Sequence, residues 1–383
     1  MPNAPCRIAL LGFGTVGSAV ARRLTAPDPV HNLILTHVFD RRPEAKRAAF
    51  EQNLENLANP ANPANLANLA SPGNPANPRT LWTADIDQIL ASDADIVVEA
   101  LGGVQPAAGW IRAALLAGKS VVTSNKQAIA HEGPALRALA SRQGRQIRFE
   151  AAVGGAMPIV RTLAGGLAGD RVRSIAGILN GTTNAVLSRV EATGCTVAEA
   201  LDAARARGWA ERDASLALDG TDARAKLAIL CALAFGLRVS PDEIEARPAQ
   251  GLTPADFDAA RRRGGTIRQI ARAACDGPTR ALTAWVAPAF VPRGSFFART
   301  AGAGNAAIVS AEFAGIVQMA GVGAGGDPTA VAILSDILAI ARDPAALVPP
   351  PELARPSRIE GLGGMAGPVV DGSWNVELHA EAV

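Results

Sequence analysis

The fold of this 383-residue chain is decided by the stretch Gly12-Phe13-Gly14-Thr15-Val16-Gly17. An apolar run over residues 7–11 precedes the stretch and predicts a strand. The spacing of Val16, Val20 and Leu24 predicts that a helix follows it. A Gly-x-Gly-x-x-Gly pattern between a strand and a helix is typical of a dinucleotide-binding turn, and the alternative is a glycine turn in another α/β unit.

The three glycines have separate physical tasks in such a turn. Gly12 permits the tight turn, Gly14 lets the backbone approach a pyrophosphate, and Gly17 permits close packing of the helix. The amino terminus of the helix then faces the phosphates, which its backbone N–H groups attract. All six residues of the stretch are therefore candidate cofactor-binding residues.

The choice between NAD and NADP depends on three residues that follow a second predicted strand, over residues 33–39. Asp40 suits a ribose hydroxyl of NAD. Arg41 and Arg42 suit the additional phosphate of NADP, because guanidinium groups form strong paired hydrogen bonds with phosphate. The sequence therefore predicts NAD or NADP as cofactor and favours NADP.

Strands and helices continue to alternate after residue 95. This alternation predicts a Rossmann-type doubly wound parallel sheet, whose ligand lies beyond the carboxyl ends of the strands. Ser124, Asn125 and Lys126 follow one such end and are further candidate cofactor-binding residues. Residues 1–149 are thus predicted to form an NAD(P)-binding domain, with strands over residues 95–100, 120–123 and 146–149 and helices over residues 110–117 and 134–142.

Residues 53–78 interrupt this alternation with a low-complexity insertion. Asparagine recurs there at nearly every third position, and five prolines remove backbone donors. Neither a helix nor a strand buries one face at a period of three, so the segment is predicted to be a polyproline-like surface loop. A tolerated repeat with no role is the favoured interpretation.

Residues 150–320 are predicted to form a second, α+β domain for substrate binding and dimerisation. Residues 321–342 contain a glycine-rich stretch and a helix over residues 329–341, and they are predicted to return the chain to the first domain. Residues 343–383 support little beyond one strand over residues 374–379. In the second domain, helices are predicted over residues 197–207 and 222–235 and strands over residues 282–291 and 306–313.

The composition excludes several classes of protein. With 37 basic and 35 acidic side chains the net charge is +2, which argues against nucleic acid as a partner. No apolar run is long enough for a membrane span, and the first residues do not read as a secretory signal, so a cytoplasmic location is expected. Four widely spaced cysteines argue against a zinc site or a disulfide framework.

Only four of the 37 basic residues are lysine. Lysine differs from arginine because its ammonium can lose a proton in a desolvated site. Lys126 and Lys226 stand where a ligand site is predicted and are candidates for proton transfer, with a solvated helix charge as the alternative. Lys46 and Lys119 are predicted to lie on the surface.

The residues quoted so far, taken with four further motifs, resemble the homoserine dehydrogenases, in the form without a fused aspartokinase domain. The similarity extends over residues 7–342. The further motifs are Ser124-Asn125-Lys126, Glu150-Ala151-Ala152-Val153-Gly154-Gly155-Ala156-Met157-Pro158, Gly177-Ile178-Leu179-Asn180-Gly181-Thr182-Thr183-Asn184, and Gly208-Trp209-Ala210-Glu211 continued by Asp219-Gly220-Thr221-Asp222 to Lys226.

The resemblance implies roles for residues of the second domain, beside what their spacing predicts. Asp222 and Lys226 are four residues apart and share one helix face, as an exposed salt bridge would as well. By resemblance, Lys226 donates and accepts the proton, Asp222 binds and orients the substrate, and Glu211 binds the substrate's α-ammonium. Lys126 by resemblance holds the reacting oxygen and approaches the nicotinamide.

Asn180, Gly181 and Thr182 form a candidate contact for the substrate's carboxylate at a helix amino terminus, with a plain capped turn as the alternative. Two positions depart from the family pattern. Asp213 is followed by Ala214 where proline is usual, and Ala217 stands where an acidic residue is usual. Roles for the residues between Glu211 and Asp222 are therefore in doubt.

The resemblance also implies a monovalent cation such as Na⁺. Its ligands would be Glu150 and the backbone carbonyls of Val153, Gly155 and Met157, which is suitable chemistry for a hard ion. The alternative is an interdomain hinge without a metal, because carbonyl ligands leave no side-chain signature.

The function implied is the NAD(P)H-dependent reduction of L-aspartate 4-semialdehyde to L-homoserine, in threonine, methionine and isoleucine biosynthesis, by a homodimer. Two alternatives stay open. One is another Rossmann-domain amino-acid or hydroxy-acid dehydrogenase, because a fold does not determine a function. The other is a non-enzymatic NAD(P)-sensing protein.

Overall fold

The computed structural model describes residues 5–25, 32–58, 80–207, 209, 215–323, 325–347 and 352–362. The chain divides into two compact units. The first unit comprises Met1–Ala151 and Thr329–Pro350, and the second comprises Ala152–Pro328 and Pro351–Val383. Within the described ranges, no helix is both long enough and apolar enough to cross a membrane.

The first unit contains a sheet of six parallel strands in the order β3-β2-β1-β4-β5-β6. The order reverses between β1 and β4, which is the switch point where doubly wound sheets bind ligands. The predicted fold class is confirmed. The strands are β1 (Cys6–Leu11), β2 (Leu33–Phe39), β3 (Leu81–Thr83), β4 (Ile96–Glu99), β5 (Ser120–Thr123) and β6 (Ile147–Arg148), and the helices before residue 150 are α1 (Thr15–Thr25), α2 (Pro43–Ala58), α3 (Ile86–Leu90), α4 (Ala107–Leu116) and α5 (Lys126–Arg142).

Both faces of this sheet are buried. Ile8 and Leu10 of β1 belong to the apolar cluster on one face, and Ala9 and Leu11 belong to the cluster on the other. This division follows from the two-residue period of a strand. It also explains why the strand reads as a continuous apolar run, since parallel sheets are covered on both sides.

Several parts of the first unit differ from the sequence-based prediction, and helices α2 and α3 were not predicted. Helix α5 begins at Lys126, eight residues before the predicted start, because Asn125 caps it and Pro134 is tolerated inside it. Helix α2 continues to Ala58, so residues 53–58 of the predicted loop are helical. The first proline of the repeat is Pro60, so residues 53–58 contain no proline that would break the helix. Residues 59–79 lie outside the described residues. Strand β3 was not predicted, because it has three residues.

The second unit contains a mixed sheet in the order β12-β11-β7-β9-β10-β13, and β8 also pairs with β10. The pairings among β7, β9, β10, β11 and β12 are antiparallel, whereas β8 and β13 run parallel to β10. The strands are β7 (Val172–Ile178), β8 (Glu245–Ala246), β9 (Gly265–Cys275), β10 (Leu282–Pro292), β11 (Gly304–Ala311), β12 (Gly315–Val322) and β13 (Ile359–Glu360), and the helices are α6 (Ile159–Arg161), α7 (Gly181–Thr193), α8 (Val197–Ala206), α9 (Ser215–Leu218), α10 (Thr221–Phe235), α11 (Pro254–Arg262) and α12 (Phe296–Arg299).

The two predicted helices and two predicted strands of this unit correspond to α8, α10, β10 and β11. Strand β9 was not predicted, because polar residues interrupt its apolar pattern. Its Arg268 is only 2% exposed, and Nη1 of Arg268 lies 2.8 Å from Oε2 of Glu191. A buried arginine held by an acid and by backbone carbonyls therefore occupies a strand position that the sequence marks as polar.

Helix α13 (Gly326–Arg342) follows β12 and carries the chain back to the first unit from Thr329 onward. Its Ile333 and Ile337 join the cluster that contains Ile8 and Leu10. The sequence placed the start of this return at residue 321. The later residues 352–362 belong to the second unit, where Leu362 is buried and its backbone N–H donates to Oε2 of Glu245 at 2.7 Å. The strand predicted over residues 374–379 lies outside the described residues.

Candidate functional site

The glycine turn of the first unit joins β1 to α1. Gly12 has φ +95°, and a Cβ on it would lie 2.9 Å from the carbonyl oxygen of Ala100. A Cβ on Gly17 would lie 2.0 Å from the carbonyl oxygen of Gly12, so α1 packs directly on the turn. At Gly14, by contrast, no atom lies within 4 Å of a Cβ position. The turn therefore presents open backbone at Gly14, where a dinucleotide-binding turn needs it.

Asp40 ties the glycine turn to the end of β2. Its Oδ2 accepts a hydrogen bond from the backbone N–H of Phe13 at 3.2 Å, and its Oδ1 accepts one from the N–H of Arg42 at 2.9 Å. The ring of Phe13 is buried and packs edge-on against Trp82, with centroids 4.7 Å apart. Only the backbone of Phe13 can therefore serve a cofactor. Arg41 and Arg42 are exposed.

Ser124, Asn125 and Lys126 lie at the carboxyl end of β5, at the same edge of the sheet as the glycine turn. Asn125 caps α5, because its Oδ1 accepts from the N–H of Ala128 at 3.0 Å. Its Nδ2 donates to the carbonyl of Gly103 at 2.7 Å. Lys126 is the first residue of α5 and is half-buried. The predicted cofactor residues of this unit are therefore brought to one edge.

The second unit brings together Asp222 and Lys226 of α10. Nζ of Lys226 lies 2.7 Å from Oδ2 of Asp222, and the two side chains are only 11% and 12% exposed. The same Nζ donates to the carbonyl of Leu179 at 2.7 Å, and Nδ2 of Asn180 donates to Oδ2 of Asp222 at 2.8 Å. The alternative of an exposed salt bridge is wrong, because both charges are buried in a hydrogen-bonded cluster.

Asn180 has two functions in this cluster. Besides orienting Asp222, it caps α7, since its Oδ1 accepts from the N–H of Thr183 at 2.9 Å. The capped turn considered as an alternative is therefore present. The hydroxyl of Thr182 donates to the carbonyl of Trp209, so the contribution left to Gly181 and Thr182 is their backbone N–H groups at the start of the helix.

The segment that contains Glu211, Asp213 and Ala214 lies outside the described residues. The role of Glu211 therefore stays a prediction. Ala217, where an acidic residue was expected, contributes its backbone carbonyl, which accepts a hydrogen bond from the hydroxyl of Thr183 at 2.8 Å.

The residues named for a cation lie in two parts. In the first unit, Glu150 is buried, and its N–H donates to Oδ2 of Asp336 at 2.8 Å. In the second unit, Val153 and Met157 are buried, and Gly155 has φ +60°. A Cβ on Gly155 would meet the carbonyl oxygens of Val322 and Gly323 at 2.7 and 2.9 Å. Among the residues that the structure describes, no three His, Cys, Asp or Glu side chains cluster as metal ligands.

The prediction that Lys119 lies on the surface is wrong. Its side chain is buried, and its Nζ donates to the carbonyls of Ser92 and Ala94. Burial lowers the pKa of this ammonium, and Asp93 opposes that shift. Lys119 precedes β5, whereas Lys126 follows it, so Lys119 lies at the end of the strand opposite the ligand edge. Lys46 lies partly exposed on α2.

Two groups of the second-unit cluster were not predicted. The carbonyl of Leu179 accepts from Lys226 and also from Nδ2 of Asn305, at 3.4 Å. Asn305 is fully buried in β11. The available signal was an asparagine at the start of an apolar run, because a buried amide needs partners.

Two family models match the chain. The model described as homoserine dehydrogenase matches residues 158–338, and the model described as homoserine dehydrogenase, NAD binding domain, matches residues 12–150.

Homoserine dehydrogenases are also found among similar proteins of known sequence. That of Mycobacterium bovis is 43% identical over 267 residues, which cover 69% of this chain and 60% of that protein. That of Mycobacterium leprae is 38% identical over 342 residues, 88% of this chain and 72% of that protein. The chain thus spans about 60% of the length of the Mycobacterium bovis relative.

Solved structures give the same result. A homoserine dehydrogenase from Thiobacillus denitrificans superposes with a TM-score of 0.80 at 29% identity, covering 93% of this chain and 80% of that one. A hyperthermophilic archaeal homoserine dehydrogenase in complex with NADPH superposes with a TM-score of 0.68 at 26% identity, covering 88% of this chain and 98% of that one. The NAD-binding model and this complex together support NAD or NADP as the cofactor of the first unit.

The glycine turn leads to a paired prediction. Gly17→Ala should lower the free energy of unfolding by about 3 kcal/mol, because its Cβ overlaps a backbone oxygen that cannot move independently. Gly14→Ala should change stability by less than about 1 kcal/mol and should still weaken dinucleotide binding, because its Cβ enters the open space. Urea unfolding and NADPH fluorescence titration measure the two quantities. Equal stability of both variants would contradict the prediction.

Proposed function

Because this chain belongs to the homoserine dehydrogenase family, we propose that it interconverts L-aspartate 4-semialdehyde and L-homoserine with a nicotinamide cofactor. The observation that carries this proposal is the buried pair of Asp222 and Lys226, held by Asn180 and by the carbonyl of Leu179. A protein that only senses NAD(P) has no use for a buried acid–ammonium pair. The match of residues 12–150 to the NAD-binding family model supports a nicotinamide cofactor.

The chemistry follows from the charge that develops during reduction of an aldehyde. When bound, the nicotinamide supplies a hydride to the carbonyl carbon or accepts one from the alcohol. Reduction leaves an alkoxide, which Nζ of Lys226 protonates, and oxidation requires the same nitrogen to take the proton back. Asp222 holds the ammonium in place, and Asn180 holds Asp222, so the donor does not need to reorganise as charge develops.

Two further roles are proposed from the family resemblance. Lys126, in the first turn of α5, serves the reacting oxygen, and Glu211 binds the substrate's α-ammonium. The backbone N–H groups of Gly181 and Thr182, at the positive end of α7, suit the substrate's carboxylate.

We also propose NADP(H) as the preferred cofactor. Both oxygens of Asp40 already accept backbone hydrogen bonds within the first unit, from Phe13 and Arg42. An acid engaged in this way is less available to a ribose hydroxyl. Arg41 and Arg42 are exposed beside it and can bind a 2′-phosphate.

The cation is a further proposal. It rests on the family resemblance, with Glu150 and the backbone carbonyls of Val153, Gly155 and Met157 as ligands, because oxygen ligands suit a hard ion. The pathway role in threonine, methionine and isoleucine biosynthesis and the cytoplasmic location stay predictions of the sequence.

A homodimer formed through β12 is proposed for the assembly. Strand β12 is at the end of the strand order and pairs with β11 on one side. Its Ile316 and Val322 are each more than half exposed. An apolar edge strand presents backbone N–H and C=O groups that can pair with a strand of another chain. In closed homo-oligomers that chain is a second copy.

The assignment of Lys226 can be tested by substitution. Lys226→Ala should lower kcat for homoserine oxidation by about 10²–10⁴-fold, the contribution of a positioned proton donor. The Kd for NADPH should change less than about twofold, because Lys226 belongs to the second unit. Lys46→Ala, on α2, is the matched lysine control and should retain full activity. Undiminished turnover by Lys226→Ala would end the assignment.

Cofactor preference can be tested on the two arginines. Replacing both Arg41 and Arg42 with Ala should raise KM for NADP⁺ by about tenfold or more, because charge-assisted contacts to the phosphate are lost. KM for NAD⁺ should change less than about twofold. Arg47→Ala removes an arginine that pairs with Glu51 on α2 and serves as the control. A uniform rise for both cofactors would contradict the preference for NADP.

Assembly can be tested at the edge strand. Ile316→Asp should convert a dimer into monomers, because a charge in a paired apolar edge is costly to bury. Sedimentation velocity measures the result. Leu116→Asp, on an exposed position of α4 in the first unit, should leave the dimer intact. A dimeric Ile316→Asp variant, or a monomeric wild type, would contradict the proposed interface.

A further inference from the structure

Glu99 is the last residue of β4, and its carboxylate is completely buried. Its Oε1 accepts hydrogen bonds from the backbone N–H of Leu101 at 2.8 Å, from that of Gly102 at 3.4 Å and from Nδ2 of Asn125 at 3.4 Å. Its Oε2 accepts one from the hydroxyl of Thr123. Four donors therefore surround one carboxylate.

Across the described ranges, no lysine, arginine or histidine forms an ion pair with Glu99. Burying a carboxylate without a cation is costly, and the cost is met only when its lone pairs are satisfied. All four neighbours donate, which is the arrangement that an acceptor-only carboxylate requires. A glutamine or an apolar residue would have met the packing need alone, so the charge at this position calls for a functional explanation.

Three of the four donors come from two loops at the ligand edge of the sheet, and the fourth, Thr123, is the last residue of β5. Leu101 and Gly102 begin the loop after β4, in which Gly102 and Gly103 have φ +92° and +73°. Asn125 begins α5 and also donates to the carbonyl of Gly103 at 2.7 Å. Glu99 thus joins the loop after β4 to the start of α5, where Lys126 is the first helical residue.

These two loops belong to one half of the dinucleotide site. A doubly wound sheet consists of two mononucleotide-binding halves on either side of its switch point. The glycine turn and Asp40–Arg42 belong to the half that contains β1 and β2. The loops after β4 and β5 belong to the other half, which therefore takes the second mononucleotide.

We propose that Glu99 is a positioning residue for the nicotinamide half of the cofactor. It fixes the backbone of residues 101–103 and the amino terminus of α5, and through Asn125 it sets where Lys126 begins its helix. This inference rests on the proposed function, because it assumes that a nicotinamide cofactor occupies the first unit.

Glu99→Gln tests the charge at nearly constant shape. A glutamine oxygen can keep the three bonds now made to Oε1, but its NH₂ group faces the hydroxyl of Thr123. An NH₂ group cannot accept a hydrogen bond, so the hydroxyl proton of Thr123 loses its acceptor, while the hydroxyl oxygen still accepts from the N–H of Asn125 at 2.9 Å. The fold should persist, while the three remaining bonds become weaker, because a neutral amide oxygen is a poorer acceptor than a carboxylate oxygen.

The readout separates the two halves of the cofactor. Glu99→Gln should raise the Kd for NADPH, measured by fluorescence titration, by about tenfold and should lower kcat, as expected for weakened charge-assisted bonds. The Kd for 2′,5′-ADP, which lacks the nicotinamide mononucleotide, should change less than about twofold by calorimetry. Asp95→Asn is the matched control, a carboxylate just before the opposite end of β4 that accepts from the N–H of Arg7 and should leave both constants unchanged.

Thr123→Val is the second variant, and it removes one donor to Glu99 at equal size. Thr123→Val should also raise the Kd for NADPH and lower kcat, with little change in the Kd for 2′,5′-ADP. It provides the test if Glu99→Gln does not fold. Equal weakening of NADPH and 2′,5′-ADP, or an unchanged Kd for NADPH in folded variants, would overturn the role of Glu99. A wild type that binds NADPH but does not oxidise homoserine would contradict the proposed function and leave Glu99 untouched. A wild type that binds no NADPH would overturn both.

Discussion

The chemistry of the second unit depends on the burial of the ion pair between Asp222 and Lys226. Two charges withdrawn from water are stable only when their remaining hydrogen-bonding capacity is met. Asn180 and the carbonyl of Leu179 meet it, and Asn305 supports the carbonyl. These groups come from the end of β7, the cap of α7 and strand β11, so the sheet and two helices must all be in place before the ammonium of Lys226 is held in position.

In the first unit, buried or partly buried carboxylates also have hydrogen-bond partners, but these partners are mainly backbone N–H groups. The glycine turn of this unit lacks side chains that would block the approach of a ligand. Asp40 fixes the backbone of this turn by accepting from the N–H of Phe13, and Glu99 fixes the loop after β4 by accepting from the N–H of Leu101. Asp40 follows β2 and Glu99 ends β4, so the two acids lie on opposite sides of the switch point between β1 and β4. Two carboxylates thus fix the loops at the ligand edge of the first unit.

How far the sequence could be interpreted depended on the kind of signal. Strands β2 and β5 were predicted to the residue, because apolar runs end sharply at glycine or polar residues. Strand β9 was missed because Arg268 and Gln269 are buried in it, and three-residue β3 is too short for a period. The ion pair was found by helix spacing, whereas the Leu179 carbonyl has no side-chain signature. Lys119 was misplaced, because burial against backbone carbonyls cannot be distinguished from exposure by composition.

The first unit is discontinuous along the chain, since Ile333 and Ile337 of α13 complete the cluster built around Ile8 and Leu10. A ribosome must therefore translate residues 152–328 of the second unit before the nucleotide-binding unit can finish its core. Until then α1 and Phe50 cover only part of the apolar face around Ile8 and Leu10, and the part that α13 covers later is exposed. A fragment that stops near residue 151 would lack α13 and would be prone to aggregate through the exposed part of that face.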